Sequence, residues 1–147
     1  AAYQNGASGS NDNSIQLTYD GLMDGLSIGY GTGEQGASTD LENAFVKYSM
    51  GPVTVAYQRS ERDNSGANNE ESTGLGIGVA VNENLSVSYG MWDVDMGTGT
   101  DEESSGISAS YTMGSMTIVA VSNATDNVAG SSASDDTFSE VSVSFAF

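Results

Sequence analysis

Residues 75–91 read LGIGVAVNENLSVSYGM, and the fold turns on these seventeen positions. Leu75, Ile77, Val79 and Val81 alternate with glycine and alanine; after Asn82, Glu83 and Asn84 the alternation resumes with Leu85, Val87, Tyr89 and Met91. A period of two is the signature of a strand with chemically different faces, and a helix would need apolar residues three and four apart. Two such runs joined by a short polar link predict an antiparallel hairpin.

The same pattern spreads outward in both directions. Toward the N-terminus stand Ile15, Leu17 and Tyr19, then Leu26, Ile28 and Tyr30, then Ala44, Val46 and Tyr48, then Val53, Val55 and Tyr57. Toward the C-terminus stand Ile107, Ala109, Tyr111 and Met113, then MTIVAVS, then Val141, Val143, Phe145 and Phe147. The reading is an all-β antiparallel meander of about nine strands. Short links at 20–25, 50–52, 82–84 and 114–115 alternate with long ones at 31–39, 62–71, 96–103 and 124–136. Of the 20 acidic residues only Asp20, Asp24 and Glu83 fall in the short links; the rest lie in the long loops, their flanks or the N-terminal tail. A soluble sandwich has no reason to separate its two ends in this way.

Composition narrows the function classes. The formal net charge of −17, from 20 acids and 3 bases, excludes nucleic acid as a partner, because phosphate binding needs clustered cations. Disorder would also suit an acidic, weakly hydrophobic chain, but disorder has no need of regular alternation. With no histidine or cysteine, a histidine general base and thiolate chemistry are both absent, so the chain is read as no enzyme. Nowhere do about 18 apolar residues run together, as a membrane helix requires. A transmembrane barrel, however, distributes its apolar band through alternation.

Alternation alone does not say whether the apolar face meets a core or lipid. The opposite face carries Ser27, Gly29, Thr54, Gln58, Gly76, Ser86, Ser88, Ser108 and Ser110, small and mostly uncharged. The outside of a soluble sheet normally carries long charged side chains, whereas a face lining a wide water column need not. Tyr19, Tyr48 and Tyr111 precede short turns on the apolar face, and Phe147 ends the chain at the same level, as an interfacial aromatic girdle would. The Ser, Gly, Thr and Ala residues of the opposite face are also too small to fill a barrel of about eight strands, which favours a wider one. By phase, Asn43, Lys47, Gln58, Arg62, Ser86, Ser88, Ser108 and Ser110 are candidate pore-lining residues, and Arg59 points outward near the external rim. Asp93, Asp95 and Asp101 in DVDMGTGTDEE have the spacing of calcium ligands, although Thr98 stands where such loops need glycine and Ser104 where they need glutamate. No cofactor is required; Ca or Mg held loosely at the acidic loops is the expectation. MTIVAVS, apolar on both faces, is either a subunit contact or a stretch resting against protein.

The terminal strand TFSEVSVSFAF, with Val141, Val143, Phe145 and Phe147 in phase, resembles the last strand of Gram-negative outer-membrane proteins. In that resemblance it is the assembly signal read by the barrel-assembly machinery. The whole chain is similar in pattern to the C-terminal half of alphaproteobacterial general porins. The resemblance implies a transmembrane antiparallel β-barrel of about 16 strands, a homotrimer, passive diffusion of small hydrophilic solutes, and a constriction formed by an inward-folded third loop. In related porins inward basic residues face acidic ones across the constriction, a role that would fall to Lys47. Residues 1–147 would then be the C-terminal part of one barrel domain, with 1–13 an extracellular loop or cleaved tail and N-terminal strands elsewhere. Short turns and the C-terminus would face the periplasm, the long acidic loops the exterior, with outer-membrane lipid and lipopolysaccharide as surroundings. A mild cation preference is expected of a pore with an acidic rim. A non-conducting barrel serving as anchor, adhesin or phage receptor is the competing function, and a secreted soluble β protein a third.

Overall fold

A computed structural model describes residues 2–5, 12–36, 38–64, 69–97 and 99–146. It contains one antiparallel sheet of ten strands in sequential order. These are β1 (Ala2–Asn5), β2 (Asn13–Tyr19), β3 (Leu26–Gln35), β4 (Thr39–Met50), β5 (Val53–Asn64), β6 (Glu70–Ala80), β7 (Leu85–Asp95), β8 (Glu102–Met113), β9 (Met116–Asp126) and β10 (Asp136–Phe145). The nine expected strands are β2 to β10. The short β1 falls in the polar stretch read as loop or tail, and its backbone pairs with β2 from Ala2 opposite Gln16 to Asn5 opposite Asn13.

Turn chemistry fixes the register of the hairpins. Met50 pairs with Val53 and Met113 with Met116, so each turn has two central residues, Gly51–Pro52 and Gly114–Ser115. Both glycines have positive φ, 57° and 62°. Glycine in that first central position is the II′ hairpin, whose twist matches that of the flanking strands.

The strands extend into each of the expected long loops. β3 and β4 leave only residues 36–38 between them, β5 and β6 leave 65–69, β7 and β8 leave 96–101, and β9 and β10 leave 127–135. Backbone pairing continues past the apolar segments because the ladder needs no hydrophobic face, only a partner strand. Link length therefore differs less between the two ends than the sequence pattern implies, while the acidic residues still gather at one end. The longest link contains a single 3-10 turn, Val128–Gly130. There Asn127 Nδ2 donates to the Asp101 carbonyl at 3.0 Å and the Ala129 N–H to Glu102 at 2.7 Å, so two neighbouring links are fastened together.

Two features distinguish this sheet from half of a sandwich. First, no hydrophobic residue among those described is buried; Leu17, Ile77 and Val143 are 55%, 43% and 52% exposed. The aliphatic rows do not meet in a dry centre. Second, the sheet is sheared. The row of directly paired residues Thr18, Gly29, Phe45, Gln58, Gly74, Trp92, Ser104, Thr125 and Asp136 starts at the short-link end of β2. It finishes at the first residue of β10, which lies at the opposite end of the sheet. Such stagger means strands inclined to the sheet's long edge, the geometry by which sheets close into barrels.

Candidate functional site

Paired residues share a face, so the register assigns each side chain to one side. The eight candidate pore-lining residues Asn43, Lys47, Gln58, Arg62, Ser86, Ser88, Ser108 and Ser110 all fall on the face of the row just traced. On that face a groove runs across β2 to β9 and includes Asn43, Gln58, Arg62, Lys47, Ser88 and Ser108. Its polar groups mostly satisfy one another across strands. Asn43 Nδ2 donates to Ser60 Oγ at 2.7 Å and Gln58 Nε2 reaches the same oxygen at 3.3 Å. The Ser88 and Ser108 hydroxyls pair at 2.9 Å, as do those of Ser104 and Thr125. The result is a neutral hydroxyl and amide wall. Its charges are few: Arg62 pairs with Glu70 at 3.6 Å, and Lys47 lies further along the same groove.

The other face carries the apolar residues, with Tyr19, Tyr48 and Tyr111 on β2, β4 and β8 close to the short links. Val141, Val143 and Phe145 stand on the same face, opposite Ala120, Ile118 and Met116. Phe147 lies outside the described residues. At the far end of this face the aliphatic rows give way to carboxylates. Asp40 opposes Asp63, and Glu42 opposes Glu61, which also opposes Glu71; Glu71 in turn opposes Asp95. Asp93 opposes Glu103, which opposes Asp126. Directly opposed like charges destabilise a sheet, so this belt is held by the ladder beneath it. Arg59 stands among these acids. Its Nε and Nη2 each donate to a Glu71 carboxylate oxygen at 2.7 Å, and it also contacts Glu61. This fork holds the Glu71 carboxyl below its ordinary range, first through the hydrogen bonds and then through Arg59's charge. Arg59 points outward as expected, toward carboxylates of its own sheet.

The three calcium-loop candidates fall on two different elements. Asp93 and Asp95 belong to strand β7, and only Asp101 lies in the link. Residues two apart on an extended strand point the same way and cannot wrap an ion as a compact loop does. Asp95 instead accepts the Gly97 N–H at 2.7 Å, and no three carboxylates converge on one point among the described residues. The MTIVAVS stretch puts Met116, Ile118 and Ala120 on the outward face. Val119 and Val121 lie on the groove face, Val119 between Ser110 and Ser142 and Val121 between Ser108 and Glu140, away from the outer surface a neighbouring subunit would use.

Three aromatic residues on the groove face, Phe45, Trp92 and Phe138, went unremarked in the sequence reading as groove residues. The signal was available, since each is out of phase with the apolar residues of its own strand. Phe45 lies over Gly29 and Trp92 over Gly74, where an added Cβ would overlap the ring.

A family model described as Gram-negative porin matches residues 1–145 of the chain. No curated protein matches it.

Proposed function

The chain belongs to the Gram-negative porin family, and on that premise we propose that it forms the wall of a passive diffusion channel for small hydrophilic solutes. A member of that family is a channel protein of the bacterial outer membrane rather than an enzyme. The finer reading is a general porin of the alphaproteobacterial type, assembled as a homotrimer by the barrel-assembly machinery among lipid and lipopolysaccharide. Short turns would face the periplasm and the acidic end the exterior.

One observation carries this reading. A single sheared sheet presents exposed aliphatic rows on one side and small, mutually hydrogen-bonded polar groups on the other, with no buried core among the described residues. In water such a sheet has nothing to stabilise it. In hydrocarbon the same rows are solvated and the polar side lines a water column. Among the described residues β1 and β10 each pair with one neighbour only, and we propose that further strands complete the wall. An open strand edge cannot stand in lipid.

Purified protein in planar bilayers tests the proposal. Stepwise ohmic conductance is expected. A folded, heat-modifiable protein that inserts without conducting would instead be an anchor, adhesin or receptor.

A further inference from the structure

The groove wall is built of glycine and small hydroxyl residues, so two large rings on it need a reason. Phe45 and Trp92 both line the groove and are both half-buried. Each lies against a glycine of the preceding strand, Phe45 on Gly29 and Trp92 on Gly74. The sheet thus covers one side of each ring and leaves the other turned to the groove. Both belong to the traced row, with Gln58 and Gly74 between them. Asn43, Ser60 and Ser72 stand one step toward the acidic end on the same face.

Hydrogen-bonding amides and hydroxyls beside flat apolar platforms suit one kind of water-soluble solute. It must have C–H groups on a flat face and hydroxyls around its rim, which is the chemistry of a sugar ring. A purely apolar solute would cover the hydrogen-bonding capacity that Gln58 and Asn43 keep beyond their bonds to Ser60 without satisfying it. A charged solute would find no ionic partner between the rings, where the row offers only Gln58 and Gly74.

We propose that Phe45 and Trp92 are two stacking stations of a saccharide track along the channel wall. This deepens the channel reading and rests on it. Three interstrand steps separate the two residues, about 14 Å, more than one sugar ring covers. The track therefore suits a short oligosaccharide, with Gln58, Asn43, Ser60 and Ser72 meeting its hydroxyls. Because the strands are inclined, the stations also differ in depth. Phe45 is nearer the short-link end of its strand and Trp92 nearer the acidic end of its own, so the track descends along the pore.

The test is single-channel recording of the whole protein with maltotriose. Brief, saturable interruptions of the current are expected. Trp92→Leu and Phe45→Leu keep apolar bulk but lose the ring face, and each should weaken sugar affinity about threefold to tenfold relative to its own open-channel current. Trp92 is the one tryptophan of this chain. Maltotriose should therefore change the Trp92 fluorescence of the wild type saturably, a readout that survives if a variant fails to fold. A conducting channel without sugar-dependent interruptions, or variants that bind maltotriose as the wild type does, would overturn the track and leave the channel standing. The rings would then serve only to cover sheet glycines. Absence of any conductance would overturn the channel reading and the track with it.

Discussion

Gly25, between β2 and β3, has a φ of 79°, and its carbonyl accepts the Ser49 N–H at 2.8 Å. A Cβ at this position would run into the Ser49 carbonyl oxygen. Gly25→Ala thus combines a left-handed conformation with a backbone clash, and should cost about 1–3 kcal/mol. The urea midpoint of the refolded protein in vesicles checks this. At the opposite end of the sheet, Arg59 and Glu71 give a pH-dependent prediction. The Glu71 carboxyl is lowered in the folded protein, so its contribution is present above the unfolded value and disappears as pH falls through the folded one. Glu71→Gln should lower the thermal midpoint at about pH 7 and lower it by less at an acidic pH, as the wild-type carboxylate takes up its proton. Equal losses at both pH values would refute the pairing.

At the scale of the strand, adjacent positions should respond in opposite ways. Ile77 on β6 faces outward within the aliphatic rows, and Ser88 on β7 faces the groove opposite Gly78. Ile77→Arg should cost about 2–4 kcal/mol if that row lies near the middle of the hydrocarbon. Ser88→Arg should leave stability nearly unchanged and alter single-channel conductance. Reversed results would mean that the faces are inverted. The strands themselves were legible in the sequence because Leu, Ile, Val and Tyr at every second position leave little alternative. Their ends were not. Glu34, Asp63, Asp95 and Asp126 all lie inside strands, held there by backbone pairing that leaves no mark on side-chain hydropathy. The same blindness placed Asp93 and Asp95 in a loop. Face membership of the candidate groove residues followed from parity alone, whereas the seats of Phe45 and Trp92 on Gly29 and Gly74 depend on a register between strands that no single strand reveals.

For the molecule as a whole, the direction of its charges matters more than their sum of −17. Glu42, Glu61, Glu71, Asp93, Asp95 and Glu103 share the outward face, while Lys47, the Arg62–Glu70 pair and the carboxylates Glu102, Asp136 and Glu140 are on the groove side. The rim should still favour cations, but mildly, and the preference should fade as salt screens the field within about 10 Å at 0.1 M. Reversal potentials in a salt gradient measure it, and anion preference at low salt would count against the proposal. Opposed carboxylates on the outward belt should also make stability sensitive to divalent cations loosely shared along it. Millimolar Mg should raise the thermal midpoint and a chelator lower it, by an amount that tracks the number of belt acids replaced with amides. Finally, a chain with no buried hydrophobic residue among those described carries little internal reason to collapse before it reaches its solvent. Its unfolded form, acidic and rich in glycine, can stay dispersed in an aqueous compartment and await insertion. The bilayer then does for this chain what packing does for others, so its thickness and composition belong among the determinants of the fold.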